Sequence, residues 1–183
     1  MLTATYSLVA IAIEQKQALR CLDRISKAVA ALWQVPLPLE QEHEQVAQAL
    51  GGLFRFDREC HERKVEKYVI PTVRGASREV DAVVRELDEL SDVGQTLLGA
   101  VGEQMQNLFD RRALQARESC RAMEAYCDCL RRRLLREEEL LFPLVWRLLS
   151  MEDWFTLAAK FLGDEQKRHA ARLRAVPPMM FRF

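Results

Sequence analysis

From Ser77 to Phe142 the chain runs for 66 residues without a proline. Apolar residues recur through that stretch at helical spacing, and one unbroken helix of its length would extend about 100 Å. A chain of 183 residues offers nothing to cover such a rod, so the stretch must fold back on itself. Two places offer a break: "LSDVG", Leu90 to Gly94, and "LFD", Leu108 to Asp110.

The N-terminal half has the same character with clearer punctuation. Leu8, Ile11, Ala12, Leu19, Leu22, Ile25 and Val29 form an apolar stripe that predicts a helix over about 5–33. "QVPLPLE" interrupts it at Pro36 and Pro38, and a second helix is expected over 39–70, ending before Pro71. Gly51 and Gly52 are weak points in that helix, each costing about 1 kcal/mol against alanine. "RGAS" reads as a turn, with Ser77 as N-cap of a third helix.

An internal repeat decides where the long stretch turns. "EQKQALRCLDRI" (Glu14 to Ile25) and "EVDAVVRELDEL" (Glu79 to Leu90) share one frame. "HERKVEKYVIP" (His61 to Pro71) and "RLLREEELLFP" (Arg133 to Pro143) match at the second glutamate, the apolar run and the proline. The chain thus reads as two helical hairpins of one pattern. Midway between Gln15 and His61 lies Pro38, a real breaker, and midway between Val80 and Arg133 lie residues 106 and 107. The second turn is therefore expected near Asp110, with helices over 77–108 and 111–142, and Gly94 as a kink or local loop.

The fold class expected is all-α: an antiparallel up-down four-helix bundle over residues 1–149, followed by a short helical C-terminal extension over 150–183. Seven glycines, six prolines and few β-branched runs agree with it. Trp154, Phe155, Leu157, Phe161 and Leu162 give the extension apolar surface with which to dock, and Met179, Met180, Phe181 and Phe183 end it as docked residues or as a contact patch.

Lys plus Arg is 27 and Asp plus Glu is 27, so there is no basic excess to attract nucleic acid. No apolar run approaches the roughly 18 residues of a membrane span, and the start has no basic region or cleavage site of a signal peptide. Five cysteines without framework spacing suit reduced thiols in a cytoplasm. A soluble cytoplasmic protein is expected.

Two helical hairpins, each ending in an acidic cluster, an apolar run and a proline, resemble the hemerythrin-like cation-binding family over about Ile11 to Leu149. The resemblance implies a four-helix bundle around a di-iron centre. Helices one and three each offer a His, and helices two and four each offer a His and a Glu four residues later. Residues so spaced share a helix face and reach one ion. Here the helix-one position is Gln15 and the helix-three position is Val80. On helix two His61 remains but its partner is Val65, and on helix four Arg133 replaces the His while Glu137 remains. Glu66, one residue past Val65, is expected to point elsewhere, and Glu138 and Glu139 to face solvent.

Valine donates nothing to a metal, and a guanidinium stays protonated and cannot ligate. Arg133 can instead neutralise Glu137 one turn away, with Gln15 and His61 taking the spare hydrogen bonds; the alternative is an outward Arg133 and an apolar centre. No cofactor is expected, with iron as the alternative through the residual candidates His61 and Glu137, helped by Cys60, Cys129 or Glu66. Buried structural cysteines, and solvated His43 and His169, are the plainer readings of the remaining donors. "CDC", Cys127 to Cys129, lacks the spacing of a zinc site.

The functional expectation is a non-catalytic binding or regulatory bundle with a degenerate site. The alternative is a metal protein that handles iron or oxygen, or senses oxygen, nitric oxide or redox state. No acid–base or nucleophile arrangement suggests an enzyme. The apolar terminal segments suit a homodimer.

Overall fold

The computed structural model describes residues 2–32, 39–107 and 114–175, and these are almost entirely helical, with no strand among them. Five helical rods make up the described chain. The first is α1 (Leu2–Ala31). The second joins α2 (Leu39–His61), a π-helical turn (Val65–Val69) and α3 (Ile70–Val73). The third is α4 (Arg78–Asn107). The fourth joins α5 (Leu114–Arg136), a second π-helical turn (Glu137–Leu141) and α6 (Phe142–Leu148), and the fifth is α7 (Met151–Ala175). The turns expected at Pro36–Pro38 and near Asp110, and the terminal Met179 to Phe183, lie outside the described residues, as does the side chain of His43.

Neither Pro71 nor Pro143 ends its helix, contrary to the sequence expectation. A proline in an α-helix clashes with the carbonyl four residues back. Here each proline follows a π turn, in which Ile70 N–H bonds Val65 O and Phe142 N–H bonds Glu137 O. The wider turn accommodates the ring and the rod continues, to Val73 in one case and Leu148 in the other. The two π turns sit at equivalent places in the sequence repeat. Arg74 then leaves the helix extended, and Gly75 takes a φ of +83°, the left-handed conformation that glycine adopts without penalty. Ser77 Oγ accepts from Val80 N–H at 3.2 Å, so the expected N-cap of α4 is present.

The expected kink at Gly94 is absent, because α4 is continuous through Leu90 to Gly94. The glycine lies under the Tyr126 ring, whose carbons stand 3.7 and 3.8 Å from where a Cβ would be, an ordinary van der Waals contact. The C-terminal extension is also longer than expected: α7 is one helix of 25 residues. It packs on α1 and the first π turn through Trp154, Leu157, Ala158 and Phe161. Phe155 and Leu162, expected to dock, face solvent at 63% and 48% exposure.

Contacts between rods follow a regular order. Along α4 and the fourth rod, Glu79 meets Arg147, Glu86 meets Arg136, Leu87 meets Arg133 and Leu90 meets Cys129, so one sequence rises as the other falls. Asp57 meets Tyr126 and Arg63 meets Glu137, so the second and fourth rods rise together. The interior separates into two apolar clusters. One gathers Leu22, Leu53, Phe56, Met123, Tyr126 and Leu134. The other gathers Ile11, Val65, Val80, Leu87, Leu141 and Phe161. No helix among the described residues is long and apolar enough to cross a membrane.

Candidate functional site

On three of the rods, the buried residues between the two apolar clusters are polar. On α1, Gln15 lies between Ile11 and Ala18. On the second rod Arg63 lies between Cys60 and Val65, and on the fourth Glu137 lies between Leu134 and Leu141. These side chains meet in a charged layer across the middle of the protein.

Glu137 is its centre, with a side chain 0% exposed. Arg63 Nη2 donates to both of its oxygens, at 2.6 and 2.7 Å. Arg133 Nη1 donates to its Oε1 at 2.5 Å and pairs with Glu66 Oε1 at 2.5 Å. Other donors of the layer are placed on neighbouring groups. Arg133 Nε donates to Ser91 Oγ at 2.7 Å and more weakly to Leu87 O at 3.3 Å. Arg63 Nη1 donates to Gln15 Oε1 at 2.7 Å, and Gln15 Nε2 donates to Leu134 O at 2.5 Å. Two guanidiniums thus balance two carboxylates, which is what buried charge requires. Burial works against the charge on Arg63, but the Glu137 charge and hydrogen bonds outweigh it and raise the pKa.

Arg63 stands at a break in its helix. At Glu62 and Arg63 the α-helix lapses into a turn and a bend before resuming at Lys64. Two distant elements satisfy the backbone groups that the break frees. Glu14 Oε2 on α1 accepts from Lys64 N–H at 2.7 Å, while Arg168 Nη2 on α7 donates to Glu62 O at 2.7 Å. The Lys64 ammonium then bridges Glu14 at 2.8 Å and Glu165 at 3.3 Å.

Of the six residues read as a vestigial centre, the structure brings together Gln15, Arg133 and Glu137. The inward Arg133 and its pair with Glu137 stand as proposed from the sequence. Val65 and Val80 are buried in the neighbouring apolar cluster, outside the layer. His61 is not in the layer: its side chain is 46% exposed, 3.7 Å from Asp57 and 3.4 Å from Gln95. The inward face of α2 runs through Leu53, Phe56 and Cys60, so His61 points outward and Arg63, three residues past Cys60, points in. Beyond the break Glu66, expected to point elsewhere, enters the layer. Glu138 and Glu139 lie outside it, as expected.

Arg63, Glu66, Ser91 and the Glu14–Lys64 clasp were missed from sequence. One signal was available. Buried apolar positions on the second rod step by three or four through Val46, Leu50, Leu53, Phe56 and Cys60, then jump by five to Val65. That jump marks the slip in helical phase.

His61→Ala is expected to change stability by no more than about 0.5 kcal/mol, the usual range for a surface substitution. Thermal melts of the variant and wild type check this.

A cavity of about 20 Å³, the size of one water, separates the layer from the surface among Asp57, His61, Ser91 and Arg133. The thiols do not form a second centre. Cys60 is buried, and burial pushes its pKa up to about 12, with Arg63 opposing and Glu137 assisting. Cys129 Sγ donates to Leu90 O, and its pKa is raised by burial, as is that of Cys127. Tyr126 is raised too, by burial and by the hydrogen bond it donates to Asp57 at 2.7 Å. Between pH 9 and 12 the unfolded chain therefore gives up protons that the folded one keeps. Stability should be full below pH 9 and fall as pH rises through that window. Urea midpoints at pH 8 and pH 11 test the sign, and the lower one is expected at pH 11.

Among the described residues no group of three or more His, Cys, Asp or Glu side chains is placed to hold a metal ion. The donor chemistry of the layer itself does not fit a di-iron cluster. Its guanidiniums have no lone pair to give, and both oxygens of Glu137 are occupied by Arg63. No protein-family model, no curated protein and no solved structure matches the chain.

Proposed function

We propose that the protein is a non-catalytic binding or regulatory module: an antiparallel up-down four-helix bundle of hemerythrin-like plan in which a guanidinium–carboxylate layer occupies the place of the cation cluster. The opposed contacts of α4 with the fourth rod, and the parallel contacts of the second and fourth, support that topology. The observation that carries the functional reading is Glu137, whose two oxygens are both taken by Arg63 and whose Oε1 also accepts from Arg133. Three of the about four lone-pair sites of this carboxylate accept from guanidiniums, and its fully buried side chain has no open side for a metal or a substrate. The reading as an iron, oxygen or redox protein with an unorthodox shell finds less support. His61 faces solvent, Cys129 bonds a backbone carbonyl, and Glu66 and Glu137 are held by arginines.

A cytoplasmic setting accords with the buried thiols. Homodimerisation is part of the proposal: Trp146, Leu148, Met151 and Phe155 expose apolar surface around the junction of α6 and α7. Light scattering tests it, and a strict monomer would remove it. For the central claim, metal analysis of protein purified from iron-supplemented cells is decisive. Iron far below one atom per chain is expected, and stoichiometric iron with charge-transfer absorption would overturn the reading.

A further inference from the structure

A groove of about 1120 Å³ runs between α1 and α2 and is closed on one side by Arg168 of α7. Its volume matches sites that hold cofactor-sized organic molecules. Ala18, Cys21, Phe56 and Cys60 give it an apolar floor. Arg20, Arg24 and Lys27 line it from α1 at i, i+4 and i+7, one helix face, and Arg58 lines it from α2.

The charge in the groove is unbalanced once existing pairs are set aside. Asp23 is taken by Arg131 at 2.6 Å, Glu14 by Lys64 at 2.8 Å, and Glu62 by Lys67. Arg63 and Arg168 are held by Glu137 and Asp164. Arg20, Arg24, Lys27 and Arg58 have no ion pair or hydrogen bond among the described residues. Four unpaired cations thus face one unpaired carboxylate, Glu59, in a concave site whose walls concentrate the field.

We propose that this groove binds an amphipathic organic anion, an apolar body bearing one or more carboxylate, sulfonate or phosphate groups. The body rests on Ala18, Cys21 and Phe56, and the anionic groups lie between the α1 cations and Arg58. A bare inorganic anion would use only the rim, and a neutral apolar molecule only the floor. The groove borders the charged layer and shares Arg63 with it, but the cations offered to the anion are ones the layer does not use, and the inference holds whether or not the protein carries iron.

Anilinonaphthalene sulfonate has this chemistry and serves as the probe, with phenylnaphthylamine as its uncharged analogue and inorganic phosphate as competitor. Fluorescence titration of the full chain is expected to show one saturable site. Binding should weaken with added sodium chloride and be about tenfold or more tighter than for the neutral analogue, as hydrogen bonds to a charged group imply. The Arg24→Glu/Arg58→Glu variant should lose about tenfold or more in affinity with its melting temperature unchanged. If that variant does not fold, Lys27→Gln and Arg58→Gln carry the test, each with a smaller loss. Equal binding of the neutral analogue, displacement by phosphate at the same concentration as the probe, unaltered affinity in the variants, or no saturable binding would each overturn the proposal.

Discussion

Glu137→Ala is expected to destabilise the protein by about 3–5 kcal/mol, enough to remove much of the stability of an ordinary domain. The glutamate itself buries little apolar area, so the loss comes from what it leaves behind. Arg63 and Arg133, each with a side chain only 6% exposed, would keep their charge largely out of water. Glu66 pairs closely with Arg133 but lies 3.5 Å from Arg63, and cannot replace three short hydrogen bonds. Glu137→Gln retains one acceptor oxygen without the charge and should fall between the two. Urea unfolding followed by circular dichroism measures both, and a wild-type midpoint for Glu137→Ala would mean that the two guanidiniums find solvent.

Removing all three charges together should have the opposite outcome. Arg63→Met, Arg133→Met and Glu137→Leu combined are expected to leave stability unchanged or raise it by about 1–4 kcal/mol. The same ions that attract one another must first be stripped of water, and well-packed apolar side chains avoid that cost. The two apolar clusters on either side would then join into one. Gln15 keeps its bond to Leu134 O, and Glu66, already 17% exposed, can turn toward solvent. The same urea titration applies, and a triple variant as unstable as Glu137→Ala would show that the layer's geometry, not its charge balance, holds the rods together.

The legible and illegible parts of this site differ in a physical way. Gln15, Arg133 and Glu137 stand on helices that keep their phase up to the layer, so carrying over the pattern of the family the sequence resembles was enough to place them. The same carry-over failed at His61 because the helix breaks at Glu62 and Arg63, between that position and Val65. The groups that stabilise the break, Glu14 and Arg168, come from elements 48 residues before and 106 residues after it. Local sequence carries no direct sign of partners that far away. Pro71 and Pro143 misled for a related reason: proline normally stops a helix, but a preceding π turn lets it continue. At Gly94 a kink or loop was expected, but the helix runs on through the glycine.

The charged layer also bears on which arrangement of rods the chain can adopt. Leu, Val and Ile interiors tolerate sliding, since one aliphatic side chain replaces another at little cost. If the fourth rod moved one turn along its neighbours, Glu137 would enter hydrocarbon and leave Arg63 facing leucine. Every such slipped or swapped packing would strand at least one ion, whereas the observed one strands none. The layer thus acts as a key cut at a single depth, and selects one alignment from several that greasy surfaces alone would leave nearly equal.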